Sequence, residues 1–132
     1  MSESTFKQQV IFLGVRDLER AHGFYAGALG LSLTLDQGSC RIYGSAENAF
    51  VGLCTGLVSD SSKSCILTLV TNDVVQAFER AVAAGAEVES SPAYNPSFNI
   101  THCFLRDPDH HRIEIQCFHA EEWPGSSPRG DG

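Results

Sequence analysis

The chain lacks most of the features that mark proteins binding nucleic acid or spanning membranes. Lys and Arg number only 9 among 132 residues against 16 Asp and Glu, so the formal net charge is −7 and no basic patch is available for phosphate groups. No apolar run approaches the roughly 20 residues that span a bilayer. The polar start "MSESTFKQQ" is neither a secretory signal nor a transit peptide. We therefore predict a cytoplasmic protein with no nucleic-acid or membrane partner.

The chain also lacks a paired cysteine motif such as CxxC. Its five cysteines are odd in number and widely spaced, and each lies in an apolar, strand-like stretch: Cys40, Cys54, Cys65, Cys103 and Cys117. This pattern predicts free, buried thiols in a reducing compartment, and argues against a zinc cluster or a disulfide framework.

The chain does contain an internal repeat. Residues 10–33 and 66–89 both run from a β-rich stretch to an Asp, then through an amphipathic helix of about eleven residues to a Gly and another extended run. Asp17 and Asp73 are good N-cap residues. Gly30 and Gly85 stand where a left-handed residue would end each helix.

Three short extended runs follow each helix, so each half reads β-α-β-β-β. The predicted runs are 31–36, 39–44 and 49–54 in the first half, and 86–90, 100–106 and 111–118 in the second. We expect one α+β domain over 1–118, in which modules 8–55 and 64–118 form curved mixed sheets around a shared cavity, with the helices outside. Segment 56–63 is the expected linker, and 119–132 an expected disordered tail whose start Trp123 could anchor.

Three segments of the sequence resemble motifs of one known superfamily. They are "LGVRDLERAHGFYAGALGL" (13–31), "TNDVVQAFERAVAAGAEV" (71–88) and "FLRDPDHHRIEIQ" (104–116). They are similar to the opening motif, the second helix and the closing hairpin of the vicinal oxygen chelate superfamily, also called the glyoxalase, bleomycin-resistance and extradiol-dioxygenase fold. The resemblance runs over about residues 8–118, and it implies a small-molecule ligand. It also implies a homodimer in which modules pair across chains, with the alternative that the two modules of one chain close on each other.

The resemblance also implies where a metal ion would bind. Members that use a metal carry His, Glu or Gln at four cavity-facing positions, which here fall on Val10, Gly52, Ile66 and Glu114. One carboxylate among three apolar residues does not hold a catalytic divalent ion. We therefore predict no metal site and no cofactor. A divalent metal is expected only if the enzymatic alternative given below holds.

Two adjacent histidines in the closing hairpin could suggest a metal site, but a turn explains them. In "DPDHH", His110 takes the position at which the family has a glycine, and His is among the non-glycine residues least penalised at positive φ. We expect His110 and His111 at an exposed loop tip, away from the cavity.

Strand alternation selects the candidate site residues. Ile113 and Ile115 should pack under the helix, so that Glu114 points to the other face, where His102 on the neighbouring strand could pair with it as an acid–base couple. Glu114 could equally be satisfied by Arg112 or a hydroxyl, and His102 could be structural. The expected ligand-binding residues line an apolar cavity, although the same residues would suit an ordinary core: Val10, Phe12, Phe50, Gly52, Ile66, Thr68, Phe104 and Glu114.

Two functions fit these residues. The favoured one is metal-independent binding of a small organic molecule, cationic ones included, as in the bleomycin-resistance branch. The alternative is a lyase, isomerase or dioxygenase of the glyoxalase type, using either a metal or Glu114 and His102 as catalytic base and acid.

Overall fold

Eight strands and two helical regions make up the computed structural model, which describes residues 5–6, 8–57 and 65–129. In the first half these are β1 (Gln9–Gly14), α1 (Leu18–His22) with a π-helical continuation (Gly23–Ala28), β2 (Ser32–Asp36), β3 (Cys40–Ala46) and β4 (Ala49–Cys54). In the second half they are β5 (Ile66–Val70), α2 (Val74–Ala83), β6 (Glu87–Asn95), β7 (Ile100–Arg106) and β8 (Arg112–Phe118).

Each half forms its own four-stranded mixed sheet. The strand order is β1-β4-β3-β2 in the first sheet and β5-β8-β7-β6 in the second. In both sheets the first strand runs parallel to the last, and the other neighbours are antiparallel. The predicted fold class, α+β with two βαβββ modules, is confirmed.

The predicted helix ends are present in both halves. Asp17 accepts hydrogen bonds from the backbone N–H groups of Glu19 and Arg20, and Asp73 accepts one from that of Gln76. Gly30 and Gly85 have φ values of +76° and +93°, which glycine adopts without the steric cost of a Cβ.

The predicted first helix of about eleven residues is present over 18–28, but its α-helical part ends at His22 and continues as a π-helical segment. Its wider hydrogen-bonding pattern is seen where the N–H of Leu29 donates to the carbonyl of Phe24, five residues back, at 2.9 Å. Such segments are short insertions within α-helices. Within this segment Phe24, Tyr25 and Ala28 are buried.

Strand β6 is also longer than the predicted run 86–90, since it continues to Asn95. Its register against β7 shifts between Val88 and Ser90 and again between Ser90 and Ala93. These irregularities absorb the extra residues and let the strand pass through Pro92, which cannot donate to a ladder.

One hydrophobic core joins the two halves. It fills the space between the helices and one face of each sheet, and it includes Leu13, Val15, Tyr25, Ile113 and Ile115. The alternation predicted for β8 is confirmed, because the two isoleucines are in this core while Glu114 points away from it. We call the side of each sheet opposite the core its open face. None of the helices in the described ranges is long and apolar enough to cross a membrane.

The end of β1 and the π-helical segment bond to the β7–β8 turn of the second half. The Tyr25 hydroxyl donates to Asp107 Oδ2 at 2.8 Å, and Asp107 Oδ1 accepts from the N–H groups of Asp109 and His111. Burial raises the pKa of the Asp107 carboxyl, although the Tyr25 hydroxyl opposes this shift. Burial and the nearby Asp107 carboxylate also raise the pKa of Tyr25.

The prediction that every cysteine is a free, buried thiol was wrong for three of the five. Cys40 and Cys54 are opposite each other on β3 and β4, with Cα atoms 4.2 Å apart, and form a disulfide. Cys65 is exposed, whereas Cys103 and Cys117 are free and buried as predicted. Burial raises the pKa of the Cys103 thiol to about 11, so that it remains protonated at neutral pH.

The expected linker and tail are only partly described. Residues 58–64 of the linker region, and 130–132 at the end, lie outside the described ranges. Between 119 and 129 the chain has neither helix nor strand. The Trp123 ring stacks on Phe118 with 3.7 Å between centroids, and the Arg129 guanidinium lies 3.6 Å from the ring centre of Tyr94.

Candidate ligand-binding site

A cavity of about 410 Å³ lies on the open face of the second sheet, within the size range of small-molecule sites. Alternate residues of β7 and β8 form its floor, and β5 and the β6–β7 turn contribute one residue each. The lining residues are Ile66, Phe98, Ile100, His102, Phe104, Glu114, Gln116 and Phe118.

A single carboxylate organises the polar part of this cavity. Glu114 Oε1 accepts a hydrogen bond from the Thr68 hydroxyl at 2.7 Å. Its Oε2 lies 2.6 Å from His102 Nδ1 and accepts from Gln116 Nε2 at 2.9 Å. Three donors from three strands therefore hold the carboxylate in place, which satisfies a group that is 8% exposed.

The orientation of His102 follows from this contact. An ionised carboxylate can only accept, so Nδ1 carries the proton and donates to Glu114. The other ring nitrogen, Nε2, is left for a ligand or solvent. The ring also packs edge-on against Phe104, with centroids 5.0 Å apart.

A cation and an ion pair border the cavity at Phe104. The Arg112 guanidinium lies 4.0 Å from the centre of the Phe104 ring. Arg112 also donates twice to Glu89, whose pKa is lowered by this hydrogen bond and by the charges of Arg112 and Arg106. Arg112 therefore pairs with Glu89, and Glu114 is satisfied by the hydroxyl, imidazole and amide instead.

The structure brings some of the predicted site residues together and separates the others. Ile66, Phe104 and Glu114 line the cavity with His102, while Thr68 contributes through its bond to Glu114. The remaining four, Val10, Phe12, Phe50 and Gly52, lie on β1 and β4 of the first sheet. In the described part of the chain, the cavity takes its lining from the second half alone.

The side chains at the four metal positions do not fit a metal ion. Val10, Gly52 and Ile66 have no ligating side-chain atom, and the Phe12 ring occupies the space next to Gly52 where a ligating side chain would begin. Both oxygens of Glu114 already accept hydrogen bonds. Within the described ranges no three His, Cys, Asp or Glu side chains are grouped for a metal.

The turn interpretation of the two histidines is confirmed for His110, but the expected exposure of His111 was wrong. His110 has φ +70° and is exposed. His111 is only 7% exposed, because β8 begins directly after it and turns its side chain inward. Its Nε2 lies 2.7 Å from the carbonyl oxygen of Gly14, so it joins the two halves of the chain.

Four cavity residues were missed as ligand contacts. Ile100 shares its face of β7 with His102 and Phe104, and Gln116 and Phe118 share theirs with Glu114. The two-residue period of a strand would have found these three. Phe98 lies in the turn before β7, where no such period applies.

The sequence profile of one family matches residues 7–115, which is most of the chain. The chain belongs to the Glyoxalase/Bleomycin resistance protein/Dioxygenase superfamily. No match was found among curated proteins.

Solved structures of several other proteins share the fold. A glyoxalase-related enzyme from Fulvimarina pelagi is 24% identical, with 82% of this chain and 85% of that one covered at a TM-score of 0.69. TioX from Micromonospora sp. ML1 is 21% identical, with 83% and 96% covered at a TM-score of 0.70. The fosfomycin resistance protein FosX from Mesorhizobium loti is 16% identical, with 88% and 92% covered at a TM-score of 0.64. At identities below 25%, these structures show that the fold is shared, but they do not identify the ligand of this chain.

Proposed function

We propose that this superfamily member binds a small organic molecule on the open face of the second sheet, without a metal ion or other cofactor. The observation that carries the proposal is an apolar, aromatic cavity with one fixed polar cluster, formed by Glu114, His102 and Gln116. Apolar walls with a few placed polar groups are typical of ligand pockets.

The cavity walls favour a flat or branched apolar ligand. Three phenylalanines, Phe98, Phe104 and Phe118, and two isoleucines provide surface that a ligand can cover. Phe98 is 71% exposed, so a ligand that covers its ring would remove apolar surface from water.

The polar cluster favours a ligand with a hydrogen-bonding or cationic group. If His102 is neutral, the ionised Glu114 gives the cluster a charge of −1 and the free Nε2 is an acceptor. A ligand ammonium or N–H group would be attracted to both. This choice of ligand agrees with the acidic balance of the whole chain, whose formal net charge is −7.

We further propose that a second copy of the chain completes the site as a homodimer. The open face of the first sheet has exposed apolar side chains: Val10, Phe12 and Leu35 are 40%, 48% and 49% exposed. Leu35 pairs with Ile42 and Ile42 with Gly52, which places them on the same face as Phe12. Such a face facing the cavity of a second copy would supply the lining that one chain lacks.

Fragment binding to ¹⁵N-labelled protein in the presence of EDTA tests the ligand proposal. We expect amine-bearing aromatic fragments to shift the amide signals of β7 and β8. Glu114→Gln, which keeps the shape of the side chain and removes its charge, should weaken binding roughly tenfold or more. The exposed Glu47→Gln makes the same charge change away from the cavity and should have no effect. Binding that needs added metal, or that is indifferent to Glu114→Gln, would contradict the proposal.

The dimer is tested by light scattering after size-exclusion chromatography. The wild-type chain is expected at twice its monomer mass of 14.3 kDa. Phe12→Glu places a charge on the open face of the first sheet and should return it to the monomer. A wild-type monomer at high micromolar concentration would contradict the dimer.

One observation favours a second candidate function, acid–base catalysis. The 2.6 Å contact between Glu114 and His102 fixes the imidazole with Nε2 toward the cavity. In this arrangement Nε2 could remove a proton next to a substrate carbonyl, while Glu114 stabilises the imidazolium that forms. This supports a metal-free isomerase or lyase.

Exchange of substrate hydrogens separates the two functions. A fragment that binds and also loses deuterium from carbon in a His102-dependent manner indicates catalysis. A fragment that binds with no exchange, in both the wild type and His102→Gln, indicates binding alone.

A further inference from the structure

A second and larger cavity lies between the two halves of the chain, on the helix side. Its volume is about 490 Å³, and it has no lining residue in common with the cavity on the open face. Its residues come from the end of the π-helical segment, β3, the end of β5, one face of α2, and β8. They include Leu29, Leu69, Gln76, Ala77, Arg80 and Ile115.

Arg80 differs from the other arginines in the described part of the chain. Arg16, Arg41, Arg106 and Arg112 pair with carboxylates, Arg20 donates to the Pro108 carbonyl, and Arg129 lies over a tyrosine ring. Among these seven, only the Arg80 side chain has neither a hydrogen bond, an ion pair nor a ring contact. Arg80 lines the cavity and is exposed, so its donors are open to water or to a ligand.

The local sequence explains why Arg80 has no partner. The positions on α2 from which a carboxylate could reach it carry Gln76, Ala77, Ala83 and Ala84. Its guanidinium packs against Gly30, where a Cβ would lie only 2.7 Å from Nη2. The absence of a side chain at Gly30 therefore leaves room for the guanidinium at the junction of the two halves.

Gln76 gives the cavity a second donor next to Arg80. It lies four residues earlier on α2, on the same face, so its amide can donate to the same group as Arg80. The one lining carboxylate, Asp73, lies seven residues from Arg80, about 10 Å along the axis, and already caps the helix by accepting from the Gln76 N–H.

Apart from Ser45 and Thr71, the rest of the cavity is apolar. Leu29, Leu31, Leu69 and Ile115 line it together with the small Ala77. These side chains could cover a hydrocarbon segment whose anionic end lies at Arg80. A guanidinium fork binds a carboxylate with two parallel hydrogen bonds, which makes a carboxylate the best-matched anion.

We propose that this junction cavity binds an amphiphilic carboxylate, with its carboxylate on Arg80 and Gln76 and its hydrocarbon chain against the leucines. The site is separate from the open face, and it connects the helical segment of the first half to α2 of the second. A bound ligand would stabilise the folded chain, because the cavity exists only where the two halves are folded together.

Octanoate is the probe, and octanol is the control that lacks the charge. Titration of the ¹⁵N-labelled full chain should shift the amides of Leu29, Leu31 and Ala77 with octanoate and much less with octanol. Arg80→Met, which keeps the length of the side chain, should weaken octanoate binding roughly tenfold or more, as expected for charge-assisted hydrogen bonds. Arg20→Met removes the same charge from an exposed arginine outside the cavity and should leave the affinity unchanged.

Ala77→Leu provides a second test, because it narrows the cavity beside Arg80 without changing charge. It should weaken octanoate binding while the chain remains folded by circular dichroism. Three results would overturn the proposal. These are octanoate shifts confined to His102 and Phe104 on the open face, equal affinity for octanol and octanoate, or full affinity in Arg80→Met.

Discussion

Tyr25→Phe is the substitution that most cleanly tests how the two halves are joined. Tyr25 is fully buried in the first half, and its hydroxyl donates to Asp107 in the second half at 2.8 Å. Removing one oxygen atom keeps the ring in the core and leaves Asp107 Oδ2 without this donor. No other atom of the core needs to move.

The structure sets the magnitude of this effect. Asp107 is 1% exposed, so water cannot replace the lost hydroxyl. A hydrogen bond to a charged acceptor contributes about 1.5–3 kcal/mol, and we expect the free energy of unfolding at pH 7 to fall by about this amount. For a chain of this size the melting temperature should fall by roughly 5–15 °C.

The effect should also depend on pH in a definite direction. Burial raises the pKa of Asp107 in the folded protein above its ordinary value of 3.8. Protonation of Asp107 therefore stabilises the folded state fully below pH 3.8, and this stabilisation is lost as the pH rises through the folded pKa. The Tyr25 bond lowers the folded pKa, so its removal raises it further. The loss of stability in Tyr25→Phe should therefore be greater at pH 7 than at pH 3.8, where folded Asp107 is already mostly protonated.

Urea unfolding at several pH values measures both effects. Tyr43→Phe is the matched control, because Tyr43 is equally buried but bonds to His22 within the first half, and it should cost about 0.5–1.5 kcal/mol. If Tyr25→Phe costs no more than Tyr43→Phe at pH 7, or if its cost grows toward acid pH, the account of the junction is refuted.

Three further substitutions test other contacts by thermal unfolding. Cys40→Ser removes a disulfide between residues 14 apart and should lower the free energy of unfolding by about 3 kcal/mol relative to the oxidised wild type. Compared with the wild type whose disulfide has been reduced, the variant should show no loss. Trp123→Ala removes the ring stacked on Phe118 and should cost about 0.5–1.5 kcal/mol; an unchanged melting temperature would mean that the stack contributes nothing. His111→Leu leaves the Gly14 carbonyl without its 2.7 Å partner and should cost about 1–3 kcal/mol, and a neutral result would contradict a structural role for that histidine.

Features set by short-range chemistry could be predicted from the sequence. The capping carboxylates of Asp17 and Asp73 and the positive φ of Gly30, Gly85 and His110 depend on one residue and its neighbours. The pairing of His102 with Glu114 could be predicted from two neighbouring strands alone. Gln116 lies opposite His102, and Glu114, two residues before Gln116, is on the same face of the sheet. Strand alternation and turn preferences are sufficient for such inferences.

Features that depend on how the two halves meet could not be predicted in this way. The inward turn of His111 is explained by a carbonyl 97 residues away at Gly14. The disulfide required the exact register of β3 against β4, which shifts between Gly44 and Ala46. The junction cavity arises only once Gly30 and α2 are in contact. A repeat in sequence predicts the modules, but their relative placement is decided by packing between them.

The metal content of the purified chain shows whether the superfamily's metal positions are empty in this protein. Protein purified without chelators should be subjected to elemental analysis and then titrated with Zn, Mn, Fe and Ni by calorimetry. We expect no stoichiometric metal and no affinity tighter than about micromolar, since Val10, Gly52 and Ile66 offer no ligand and Glu114 is already held by three donors. One tightly bound ion per chain would contradict metal-independent binding and would favour a metal-dependent enzyme.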